Sequence, residues 1–96
     1  MENPKTLIEA VEFFIPAFEG CEDLFKKDED SFAAFCHSQL SGGIGMKIRN
    51  SLELWDKKSI MHKYMKKNHK CKHPDDMSDK ILREIYKKVN KNVEKE

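Results

Sequence analysis

Ninety-six residues allow one domain with a single modest core and exclude two. Hydrophobic residues at 39% and charged residues at 36% make a polar chain, but six phenylalanines, two tyrosines and a tryptophan can fill a core, which excludes the disordered class. The net charge of +1 hides a split, because residues 1–36 hold nine acids against three lysines (−6) and residues 37–96 hold fifteen Lys/Arg against eight acids (+7).

The punctuation along the chain predicts helices throughout. Thr6 with Glu9 forms a capping box, and Leu7, Ile8, Val11, Phe14, Ile15 and Phe18 recur at helical spacing until Pro16 and Gly20 stop or kink the pattern. Glu22 to Lys27 adds a short turn around Leu24 and Phe25. Asp30 or Ser31 caps a second helix carrying Phe32, Phe35, Cys36 and Leu40, which ends at Ser41-Gly42-Gly43. Ile44, Ile48, Leu52 and Trp55 give a third helix, with Trp55 expected as a core plug. Ser59 opens a fourth with Ile60, Met61, Tyr64 and Met65; Pro74 ends that pattern, Asp75 and Asp76 stand where the next helix should start, and a fifth follows carrying Met77, Ile81, Leu82, Ile85, Tyr86 and Val89. The expectation is an all-α single domain over residues 1–96, a bundle of four to five short helices with residues 90–96 frayed. No apolar run is long enough to cross a bilayer, and Glu2, Glu9 and Glu12 stand where a signal peptide would be basic, so a cytoplasmic location is expected.

Two stretches carry a recognisable signature. Gly45-Met46-Lys47-Ile48-Arg49-Asn50-Ser51-Leu52-Glu53-Leu54-Trp55, followed by His73-Pro74-Asp75-Asp76-Met77-Ser78 and Ile81-Leu82, resembles a family of small bacterial and phage domains of unknown function with the pattern G-x-x-I-R-N, L-W, H-P-D-D-M-S. Thr6-Leu7-x-x-Ala10-Val11 is a weaker echo of the same family. The resemblance implies an architecture and no activity. Family members carry a histidine shortly before the motif glycine; here that spacing falls on Ser41, or on His37 if Ser38 to Gly43 contains an insertion. Physically, Arg49 reaching Asp75 or Asp76 would lock the start of the last helix with a charge-assisted pair. The same groups also allow an enzymatic reading in which His73 is a base oriented by Asp75 or Asp76 and Arg49 is an anion clamp, although no nucleophile motif or phosphate loop accompanies them.

The cysteines go beyond that signature. Three are an odd number for a disulfide framework and read as core residues, nucleophiles or metal ligands. Cys36-His37 and Cys71-x-His73 are two short pairs with a long spacer, an arrangement that suits a structural zinc ion, with Cys21, His62 or His69 as substitutes for any one ligand. Alternatively Cys36 is a small buried hydrophobe, Cys21 a surface thiol and the histidines are solvated.

Three functions compete at this level. The first expectation is a small non-enzymatic, zinc-stabilised protein that binds and inhibits a larger partner, as phage-type anti-CRISPR inhibitors of Cas9-like nucleases do, docking through Lys66, Lys67 and Lys70 or through the acidic Glu9 and Glu12. The second is a nucleic-acid binder using Lys57, Lys58, Lys63, Lys66, Lys67, Lys70 and Lys72 on phosphates. The His/Asp enzyme is the third.

Overall fold

The computed structural model describes residues 4–37 and 43–94, with side chains through 91. Five helices build an all-α domain: α1 (Leu7–Phe14), α2 (Glu29–His37), α3 (Ile44–Ser51), α4 (Ile60–His69) and α5 (Pro74–Glu94). Two 3-10 segments, Ile15–Phe18 and Glu22–Lys26, join α1 to α2. The expected Leu40 and the Ser41-Gly42 loop lie outside the described residues.

Thr6 caps α1 by accepting the Glu9 N–H at 3.2 Å, and Pro16 enters the 3-10 segment that follows. The second helix starts earlier than Asp30 or Ser31. Its cap is Asp28, whose carboxylate accepts both the N–H (2.7 Å) and the hydroxyl (3.0 Å) of Ser31. These two bonds, backbone first, hold the Asp28 carboxyl below its ordinary 3.8. The contribution of this cap is therefore present above that range and lost as pH falls through the lowered value.

After α3 the chain reverses in a tight turn. Leu54 donates its N–H to the Arg49 carbonyl at 2.9 Å, and Glu53 adopts a left-handed conformation with φ 53°. That reversal turns Leu54 into the core and leaves Trp55 58% exposed, which corrects the expectation of a tryptophan core plug. The buried His62 imidazole fixes the same turn from α4 through Nδ1, 2.7 Å from the Leu54 carbonyl. Ser59 caps α4, and Lys70, at φ 57°, closes it with its N–H on the Met65 carbonyl.

The last helix is the hub, touching each of the other four. Met77, Ile81, Leu82 and Ile85 are fully buried along one stripe. No glycine or proline interrupts Asn90 to Glu94, and the described part of α5 reaches Glu94. At its middle, Tyr86 joins Phe18, Phe25 and Phe32 in an aromatic cluster with Phe32 at the centre, its ring 5.0, 5.3 and 5.8 Å from Phe25, Tyr86 and Phe18. The Tyr86 hydroxyl donates to the Lys27 carbonyl at 2.6 Å and so ties down the chain just before α2. No helix among the described residues is long and apolar enough to cross a membrane.

Phe32→Ala should lower stability by about 3–5 kcal/mol, the usual cost of emptying a fully buried aromatic site. Urea denaturation followed by circular dichroism measures it. A loss of that size is a large fraction of the total for a domain this small.

Candidate functional site

Gly45 sets the geometry at one end of the molecule. A Cβ there would sit 3.0 Å from His37 Nδ1, 3.3 Å from Arg49 Nη1 and 3.3 Å from the Cys36 carbonyl oxygen, so any larger residue would press on the end of α2, which lies this close to α3. His37 therefore occupies the place beside the motif glycine. Ser41, the other candidate, lies outside the described residues.

One turn after Gly45, Arg49 points between α3 and α5 and is only 9% exposed. Its Nη1 donates to Ser78 Oγ at 3.1 Å and lies 3.4 Å from Asp75 Oδ1. Ser78, itself fully buried, passes its own hydroxyl proton to the Asp75 carbonyl at 3.1 Å. Arg49 Nε is buried with no hydrogen-bond partner among the described residues, which leave part of the guanidinium's desolvation uncompensated. Trp55 covers the other side, with its ring centroid 5.5 Å from the Arg49 guanidinium carbon. The indole N–H donates to Asn50 Oδ1 at 3.0 Å. Gly45, Arg49, Asn50, Trp55, Asp75 and Ser78 thus form one connected group.

A shallow cleft opens beside it, lined by His37, Arg49, Asp75, Asp76 and Asp79. His37 Nε2 lies 3.4 Å from Asp79 Oδ1. The other Asp79 oxygen accepts from Arg83 Nε at 2.8 Å, and Arg83 Nη1 reaches Asp30 at 2.6 Å. Hydrogen bonds from Asp30 and then Asp79 hold the Arg83 guanidinium more firmly protonated than usual. Both ends of α2 are thereby tied to α5 through one aspartate. The sequence missed Ser78, Asp79 and Arg83; the i,i+4 spacing of Asp79 and Arg83 was the available signal. The histidine facing an aspartate is His37, whereas His73 is exposed and its side chain makes no hydrogen bond or ion pair among the described residues.

The expected zinc ligands Cys36, His37, Cys71 and His73 are not drawn together. Among the described residues no three His, Cys, Asp or Glu side chains are grouped to hold a metal ion. Cys36 is fully buried, and burial, with a smaller push from Cys21, raises its thiol to about 11. Cys71 Sγ faces the carbonyls of His69 (3.7 Å) and Asp76 (3.9 Å), and burial raises its thiol too. His69 pairs with the Tyr64 hydroxyl at 3.2 Å, and His62 is held by Leu54 as described.

Lys66 and Lys67 stand exposed on α4, and Lys70 is exposed at its left-handed C-cap. Lys63, Lys66 and Lys67 follow i, i+3, i+4 spacing, which places them on one stripe that ends beside Lys70.

These features define a small helical domain with a buried arginine staple, an acidic cleft and a lysine stripe. The chain belongs to a family described as a domain of unknown function (DUF6794), whose model matches residues 3–89. No curated protein and no solved structure matches it.

Arg49→Lys should destabilise the domain by about 1–3 kcal/mol, because an ammonium cannot meet Ser78, Asp75 and the Trp55 face together and leaves a buried hydroxyl short of a partner. Thermal melts measure the loss, and Trp55 emission reports the altered ring environment. For the cysteines, an excess of chelator is expected to leave the melting temperature unchanged. Ellman's reagent at mildly alkaline pH should label Cys21 ahead of Cys36 and Cys71, as judged by peptide mapping at short times.

Proposed function

We propose that this domain is a non-catalytic interaction module that docks on an acidic face of a larger protein through the lysine surface of α4. The observation that carries the reading is a difference between two sets of lysines. Lys80, Lys87 and Lys88 on α5 each have an acid within 4 Å, at 3.1, 3.7 and 3.2 Å. Lys57, Lys63, Lys66, Lys67, Lys70 and Lys72 are exposed and have no such partner among the described residues. A stripe of unneutralised like charges repels itself in the free domain, and an acidic partner relieves that repulsion on contact. Lys63 to Lys70 spans about 10 Å along the helix axis, a patch suited to a local acidic surface.

Two features favour a protein over nucleic acid. Ile60, at the first turn of α4, is an exposed apolar residue that a protein surface can cover. The acidic half of the chain, carrying −6 over residues 1–36, is repelled by an extended polyanion and indifferent to a local acidic patch. A phage-type inhibitor of a Cas9-like nuclease is one instance of such a module. In that case α4 would dock on an acidic patch of the nuclease, away from its basic nucleic-acid channel.

The test joins capture with DNA binding. Capture of its partner from a host lysate by the tagged domain should fall at least about tenfold for the Lys66→Glu, Lys67→Glu, Lys70→Glu triple variant, with chemical cross-links in the parent mapping to these lysines. Labelled duplex DNA should bind the parent no better than roughly 10⁻⁴ to 10⁻⁶ M at physiological salt by fluorescence anisotropy. Nanomolar DNA binding that falls steeply with salt would replace the protein partner with nucleic acid.

A further inference from the structure

Away from the lysine stripe, the signature residues present a surface of opposite sign. Trp55 is more than half exposed, an unusual position for the only tryptophan of the chain. It is also held in place, since its indole N–H is taken by Asn50 Oδ1 and one side of the ring is met by the Arg49 guanidinium. An exposed aromatic ring whose rotamer is already fixed loses little conformational freedom on binding, which is the property of an interface anchor. Next to it the cleft carries three aspartates against one arginine, with His37 as the remaining titratable group. Asp79 is already engaged by Arg83 and His37, but Asp75 remains 76% exposed and Asp76 has no cation within ion-pair distance among the described residues.

Arg49 itself gives the scale of the surface. Its guanidinium reaches from 5.5 Å off the Trp55 ring centroid to 3.4 Å from the Asp75 carboxylate, so ring and carboxylate stand one guanidinium apart. Arg49 fills the space between them, so an arginine arriving from outside would meet the exposed part of the ring and the outward side of the Asp75 carboxylate, with Asp76 following in the next position of α5. We infer that this face is a second docking surface, independent of the α4 stripe, which takes an arginine-bearing basic segment of a protein partner, one guanidinium lying against the indole and pairing with Asp75 and Asp76. The aliphatic stem of that arginine would cover the exposed ring.

Trp55 provides the readout, because intrinsic fluorescence from the only tryptophan reports this face and no other. Blocked tetra-arginine titrated into the full chain at low salt should change Trp55 emission saturably, with a dissociation constant of about 1 mM or tighter, and blocked tetra-glutamate should not. Asp76→Asn keeps a residue compatible with the first turn of α5 and leaves Arg49 on Asp75, so it should fold as the parent by circular dichroism and weaken tetra-arginine about fivefold or more. Trp55→Ala, followed by calorimetry, should weaken it by a similar factor. The Lys66→Glu, Lys67→Glu, Lys70→Glu variant should bind the peptide as the parent does, which separates this surface from the α4 stripe. Unmoved emission with tetra-arginine, equal binding by the Asp76→Asn variant, or an equal response to tetra-glutamate would each overturn the inference. Sedimentation at low salt tests the remaining occupant: oligomers dissolved both by Asp76→Asn and by the triple lysine reversal would assign this face to the lysines of a second copy and overturn the separate basic partner.

Discussion

Burying the Arg49 guanidinium is the constraint around which this end of the domain is arranged. A cation taken out of water needs donors satisfied and charge balanced, and three side chains supply part of this: the Ser78 hydroxyl and the Asp75 carboxylate from α5, and the Trp55 face from the turn after α3. Gly45 lets α2 close over the same place, because any side chain there would meet His37 and Arg49. The residues that hold Arg49 also fix Trp55 on the surface and leave Asp75 and Asp76 outward. The side chains that meet this structural need are therefore also those that shape the exposed face.

The charge split along the chain is partly resolved inside the fold. Glu12, Glu29 and Asp30 from the acidic half pair with Lys88, Lys87 and Arg83 of α5 at 3.2, 3.7 and 2.6 Å. Exposed pairs of this kind contribute little to stability each, but they align α1 and α2 on the hub helix and cancel its charge. Positive charge left without a partner concentrates on α4 and the segments flanking it. That localises the electrostatic character of the surface far more narrowly than the totals for the two halves.

The cysteines belong to the packing. Cys36 lies with Phe32 and Ile48 in the main core, and Cys71 closes the space between the end of α4 and the start of α5. Burial raises both thiols, which keeps them protonated and apolar in character. His69 and His62, substitutes for a metal ligand on spacing alone, are instead engaged with Tyr64 and the Leu54 carbonyl.

The sequence by itself determined the helices, because caps, breakers and apolar spacing are local: Thr6 and Ser59 cap where their hydroxyls accept the third following N–H, and Met77, Ile81, Leu82 and Ile85 fall on one stripe. It also offered Asp75 or Asp76 as the partner of Arg49, because both carboxylates stand at a helix start, and Asp75 is the one that lies 3.4 Å from the guanidinium. Only the tertiary structure decided which groups complete that staple. Ser78 lies 29 positions from Arg49, and no local rule makes its hydroxyl the one that is buried beside the guanidinium. The exchange of Leu54 and Trp55 between core and surface likewise depends on a left-handed Glu53, a non-glycine in a conformation that sequence rules seldom assign. The zinc expectation rested on spacing, and spacing carries no information on whether two helix ends meet; among the described residues no three His, Cys, Asp or Glu side chains are grouped to hold a metal ion.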